Sequence, residues 1–222
     1  MSPADTACIR LKREYLKIPT EDGYLYGGNQ RTFRDARIRT DGCGLIAAAD
    51  VLWYLRGEKA PACEAEYQAY VARLRPLFHF FPNHGMPGWA LCRGMNRALR
   101  QFSLPYRIRW GAFPVTRYDD IFEMLQNDIP VITAIGPNFP NRSGKKPVVF
   151  YERKDDGSFE AAAETRGHYV VITGACKGWL RISSWGKEYY IRWSEFEHYA
   201  RKHSFFLFTN VCRMTGLRNK NL

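Results

Sequence analysis

The chain has 222 residues, 45% of them hydrophobic and 15% aromatic, a composition that can bury one substantial core and excludes a disordered polymer. Lysine and arginine (33) outnumber aspartate and glutamate (22), giving a net charge of +11 that favours anionic partners. The basic residues are nevertheless spread out, with no helix-turn-helix or RNA-binding signature, which argues against a specific nucleic-acid partner. Mean hydropathy is −0.41, and no apolar run approaches the ~20 residues of a membrane span.

In chain order, residues 1–40 read as an extended lead-in arm with turns at Gly23, Gly27 and Gly28, packing Tyr24 and Tyr26 on the body or serving as a flap that ends near Cys43. The N-terminus has no basic patch followed by an apolar stretch, so cytoplasmic location is the expectation, with the six cysteines reduced. From Gly44, the residues Leu45, Ala48, Leu52 and Leu55 recur at helical spacing, widened by Ile46 and Ala49 and stopped at Gly57. A helix apolar nearly all round is wedged between two layers. Further helices are expected over 64–75, with Tyr67, Tyr70, Val71 and Leu74 on one face, and over 88–101, with Trp89, Cys92, Met95 and Leu99 inward. His79 and His84 lie between Cys63 and Cys92, but the spacing fits no zinc pattern, so neither metal nor cofactor is expected.

Strands dominate the second half. Alternation predicts one over 106–110, then a short helix over 117–127 with Ile121, Met124 and Leu125 inward, and a core strand over 130–135 ending at Gly136-Pro137. Loop 137–146 is assigned to a rim. Asp155-Asp156-Gly157 marks a hairpin between strands 147–153 and 158–163. A strand beginning at His168, the turn Lys177-Gly178, and strands 179–184 and 188–192 follow. Ser194-Glu195-Phe196-Glu197 is a capping box for a helix to about Lys202, Ser204–Phe208 is read as a closing strand, and the last ten residues as a frayed basic tail. The division expected is a single domain over 1–222: the arm 1–40, a mainly helical part 41–128, a sheet part 129–212 and the tail 213–222.

Two stretches carry chemistry. Asp41-Gly42-Cys43-Gly44 puts a thiol at a helix N-terminus, where unpaired N–H groups and the helix dipole favour the thiolate. Gly42 and Gly44 would leave room for a substrate's backbone, and the Cys43 amide could donate to an oxyanion. Gly167-His168-Tyr169-Val170-Val171 begins a strand whose hairpin partner ends in Ser183-Ser184-Trp185-Gly186. His168 would then act as base and later as acid, and Trp185 would shield its ring.

The constellation resembles the papain-like cysteine peptidases, and more closely their bacterial relatives that process bacteriocin leaders. The match rests on the Gly-Cys-Gly helix start, the Gly-His-Tyr-Val-Val strand and Ser-Trp-Gly. The resemblance implies an α+β, papain-like fold, with N-terminal helices, the nucleophile helix among them, packed on a C-terminal antiparallel sheet. It implies Cys43 as nucleophile, His168 as general base, Ser183 as the residue orienting the imidazole, and peptide or protein substrates; the positive charge adds acidic ones among them, and Trp185 is read as support at the sheet end. The chain departs from the family pattern in three places. Both neighbours of Cys43 are glycine, Ser183 stands where Asn or Asp is usual, and Arg37 occupies the position of the oxyanion-hole Gln, a role Gln30 could fill if the intervening loop folds back. Strand alternation lets one of Ser183 and Ser184 face His168. The leading reading is a thiol hydrolase cutting a peptide or amide bond through an acyl-enzyme. A thiol acyltransferase and a catalytically impaired peptide-binding protein of the same fold are the alternatives.

Overall fold

The structure, a computed structural model, describes residues 8–81, 85–110, 118–135, 147–203 and 211–217. Its helical side is built on α2 (Cys43–Arg56), whose residues from Gly44 to Leu55 are all buried. The reason is in the sequence: GLIAAADVLWYL has almost no polar face, so the helix needs cover on every side. Cover comes from α1 (Ala36–Asp41), α3 (Glu64–Leu74), α4 (Gly88–Gln101) and the sheet. Gly57 ends α2 in the left-handed conformation, with φ of 68°. On α3 the buried residues are Tyr67, Tyr70, Val71 and Leu74, as the spacing predicts. On α4 one expectation is corrected. Trp89 is 53% exposed, because the buried face centres on Leu91, Cys92, Met95 and Leu99 and position 89 lies about a third of a turn away.

The sheet is antiparallel and seven-stranded, and its longest strand is β8 (His168–Cys176), buried over its whole length except Cys176. One edge of β8 is shared in tandem by β5 (Val131–Ile135), which pairs along His168–Ile172, and β1 (Cys8–Arg10), which pairs along Gly174–Cys176. The other edge carries β9 (Trp179–Ser184), followed by β10 (Lys187–Arg192), β6 (Val148–Arg153) and β7 (Phe159–Thr165). The Asp155-Asp156-Gly157 turn joins β6 and β7 with Gly157 at φ of 83°. Two ribbons complete the strands: β2 (Lys17–Thr20) with β3 (Gly23–Tyr26), and β4 (Tyr106–Trp110) with β11 (Cys212–Gly216). The short helices α5 (Tyr118–Gln126) and α6 (Trp193–His203) lie close to the spans read from the pattern. Buried apolar side chains from helices and sheet join in one cluster. No helix among the described residues is long and apolar enough to cross a membrane.

Three further expectations change. The arm is more ordered than read: β1 is a sheet strand, β2 and β3 form a hairpin, and α1 is a helix capped by the Asp35 carboxylate. Alternation in β3 buries Tyr26 while leaving Tyr24 58% exposed. The tail does not fray at residue 213, since residues 212–216 pair with β4. The strand read at 204–208, the rim loop 137–146 and the Gly136-Pro137 turn lie outside the described residues.

The cysteines were expected reduced, yet Cys8 and Cys176 form a disulfide, because the β1–β8 register sets them directly opposite each other. Cys43, Cys63, Cys92 and Cys212 are free. Denatured without reductant, the protein is expected to offer 4 alkylatable thiols, and after reduction all 6. Mass spectrometry finding six before reduction would remove the crosslink.

Candidate active site

The start of α2 meets the start of β8. Gly44 has Tyr169 and Leu91 packed against it, so close that an added Cβ would lie 3.2 Å and 3.1 Å from them. Tyr169 is tied down by its hydroxyl, which donates to the Met86 carbonyl at 2.9 Å. Gly42 closes the junction from the other side, where a Cβ would lie 2.2 Å from the Ile38 carbonyl oxygen. Both glycines thus serve contacts within the chain rather than room for a substrate, and neither lines the pocket beside Cys43. That pocket is lined by Cys43 and His168 together with Gln30, Asp50, Ser183, Ser184 and Trp185.

His168 is buried and its Nε2 lies 2.9 Å from the Ser184 hydroxyl. The hydroxyl in contact with the imidazole is therefore that of Ser184, whereas the sequence reading placed Ser183 there. The β8–β9 register explains the correction. Ser183 is opposite Val171 and points at the floor, where its hydroxyl donates to the Tyr26 carbonyl at 2.8 Å, and the next residue projects to the other side. Trp185 turns the corner with φ of 49° and stacks on the imidazole, ring centroids 4.5 Å apart and planes at 24°. The Arg31 guanidinium also sits over the indole, 4.7 Å from the ring centroid.

The loop before Cys43 does fold back. Gln30 begins a 3-10 turn, Gln30–Thr32, and reaches the pocket, but its Nε2 donates to the Arg39 carbonyl at 3.0 Å and the Thr40 carbonyl at 3.3 Å. It thereby fixes the end of α1 just before Cys43. Arg37, which holds the Gln position in the sequence pattern, is exposed on α1.

The electrostatics also differ from expectation. Burial pushes the Cys43 thiol above its ordinary pKa of 9.0, and this outweighs the N–H groups of Tyr169, Gly44 and Cys43 that favour the thiolate. The helix-terminus effect is present but smaller than desolvation. Burial, helped by the positive Arg31, pushes His168 down from 6.5 to about 3. Both groups are neutral at pH 7, not a thiolate–imidazolium pair. Iodoacetamide modification of Cys43 is accordingly expected to keep climbing above pH 9 and to be nearly absent at about pH 6. Comparable rates at both would overturn this.

No protein-family model matches the chain, and no curated protein matches it in sequence. Among solved structures, a Bacillus anthracis protein described as a C39-like peptidase superposes with a TM-score of 0.51, covering 94% of this chain and 98% of that one at 12% identity. At that identity the likeness shows architecture. The fold is that of the papain-like peptidases.

Within this fold the sequence reading missed the floor of the pocket. Asp50, two turns beyond Cys43 on the same side of α2, is 2% exposed, and its carboxyl accepts from the Gly28 N–H at 3.0 Å, the Tyr15 hydroxyl at 3.3 Å and the Tyr67 hydroxyl at 2.5 Å. Burial raises its pKa from 3.8 to about 7. Gly27, at φ of 75°, lies so close that a Cβ would fall 2.5 Å from the carboxyl and 2.3 Å from the Ser183 hydroxyl oxygen. A lone carboxylate inside GLIAAADVLWYL was the available signal.

Proposed function

We propose that the chain is a papain-type thiol hydrolase that cleaves a peptide or amide bond through an acyl-enzyme on Cys43, with residues 1–222 acting as one domain. The observation that carries the reading is that Cys43, at the head of a buried helix, and His168, held at Nε2 by Ser184, line one pocket. In this mechanism Nε2–H donates to Ser184, which leaves Nδ1 as the base. As the sulfur attacks the carbonyl carbon, Nδ1 takes the thiol proton. The Cys43 N–H stabilises the developing oxyanion, and Gln30 can join it by releasing one of its two carbonyls. Collapse of the tetrahedral intermediate breaks the C–N bond, with Nδ1–H protonating the leaving amine. Water then attacks the thioester, giving its proton to Nδ1, and the thiol is regenerated as the acid leaves. A neutral resting pair suits this sequence, because the base need only accept the proton as the S–C bond forms. Peptides of the leader type are the finer substrate reading, supported by the sequence resemblance.

Liquid chromatography of a mixed peptide pool, with an activated acyl ester to trap the intermediate, tests the proposal. The wild type is expected to yield new peptide termini and an acyl adduct on Cys43, and Cys43→Ala neither. An adduct resolved by added amine in preference to water makes the chain an acyltransferase. A second reading, a peptide-binding protein without turnover, is favoured by the Gln30 donors already engaged on Arg39 and Thr40. Peptide binding by the wild type with no adduct and no cleavage would establish it.

A further inference from the structure

We infer that Arg31 forms an anion-binding corner beside Cys43 and His168, which selects substrates carrying a carboxylate side chain next to the bond cleaved. The word substrate rests on the proposed function; the corner itself does not. Arg31 is exposed on the 3-10 turn, where the Asn29 side chain accepts from its backbone N–H at 3.0 Å. Its guanidinium lies on one side of the Trp185 ring system that stacks on the imidazole, so it stands about one ring away from the candidate base. A guanidinium resting on an indole has its face occupied while its N–H edge stays available for a carboxylate.

Five of the described arginines, Arg13, Arg56, Arg181, Arg192 and Arg213, each face an aspartate or glutamate. Arg31, by contrast, has no carboxylate partner among the described residues, and neither do Arg34 and Arg37 on the same exposed segment. The nearest acid in that segment, Asp35, is committed to the N–H groups of Arg37 and Ile38. Asp41 acts on the thiol in the opposite sense and disfavours an anion there. The net result is one exposed cation stacked on Trp185, which lines the pocket, on a chain of charge +11.

Two alkylating reagents that differ in charge test the corner without requiring peptidase activity. Iodoacetate and iodoacetamide both convert the thiolate to a thioether with loss of iodide, so their rate ratio cancels any change in thiolate fraction. Site-resolved mass spectrometry gives this ratio at Cys43 and, in the same molecule, at the exposed Cys63. At low ionic strength the iodoacetate-to-iodoacetamide ratio is expected to be about fivefold higher at Cys43 than at Cys63. It should fall to the Cys63 value in Arg31→Gln and be kept in Arg31→Lys. Equal ratios at the two cysteines, or a ratio indifferent to Arg31→Gln, would overturn the corner. Peptide-pool cleavage separates the two proposals. Cut sites enriched in Asp and Glu in the wild type but not in Arg31→Gln support the corner, and cutting with no such bias refutes it alone. A charge-selective Cys43 in a protein that cuts nothing refutes the hydrolase reading and leaves the corner standing.

Discussion

Ser184→Ala should lower kcat on a cleaved peptide by roughly ten- to a hundredfold, while Ser183→Ala leaves kcat per folded molecule unchanged and lowers the melting temperature. The two serines are neighbours, and their contacts separate them. Ser184 Oγ is 2.9 Å from Nε2 of His168, whereas Ser183 Oγ is spent on the Tyr26 carbonyl. Removing the Ser184 hydroxyl frees the imidazole to place its proton on Nδ1, the tautomer that cannot act as base. Trp185, stacked on the ring, still limits its tilt, so the loss should be smaller than that of a whole catalytic group. Removing the Ser183 hydroxyl leaves a buried carbonyl short of a donor, at a cost of about 1–3 kcal/mol in stability. The opposite pattern, with kcat sensitive to Ser183 and not to Ser184, would show that the geometry at the sheet end does not describe the working enzyme.

Why the sequence pointed to the wrong serine is instructive. Aligning Ser-Trp-Gly with the family pattern fixes a residue's place in a string, but facing is fixed by the β8–β9 ladder. The register shift between Ile172 and Gly174 in that pairing cannot be read from either strand alone. Local features fared better. The wedge helix, the Asp155-Asp156-Gly157 hairpin and the Tyr67, Tyr70, Val71 and Leu74 face follow from periodicity and turn chemistry, which act within a few residues. What depends on distant partners stayed hidden. The Cys8–Cys176 crosslink needs a short N-terminal strand to find the far half of β8, with a separation of 168 residues. The Cys43 thiol lies at a helix N-terminus, as read, yet the dominant influence on its pKa is burial, which the helix start alone does not reveal. Trp89 passed as a core residue because it lies three positions before Cys92, although the buried face runs the other way round α4.

The pocket floor carries the second large expectation, a pair of opposed pH dependences. Asp50 has an ordinary pKa of 3.8 and one of about 7 in the fold, so between these values the folded chain keeps a proton that the unfolded chain has lost. Its contribution to stability is most favourable below about pH 4 and declines as pH rises toward 7, by roughly 4 kcal/mol in total. His168 behaves in the opposite sense. Its pKa falls from 6.5 to about 3, so the folded chain excludes a proton that the unfolded chain binds, and the stability present above pH 6.5 is lost as pH falls. Across the overlap the two slopes are each about 1.4 kcal/mol per pH unit and cancel. Between about pH 4 and 6.5, these two groups together should leave wild-type stability nearly flat. Asp50→Asn keeps an acceptor for the Gly28 N–H and the Tyr67 hydroxyl but removes the titration, so relative to wild type its stability should fall steeply on acidification. His168→Ala should do the reverse and gain on wild type as pH drops. Urea denaturation of the three proteins at about pH 4.5 and 6.5 measures the crossing. Parallel pH dependences for all three would mean that neither group carries its proton as its burial beside Cys43 dictates.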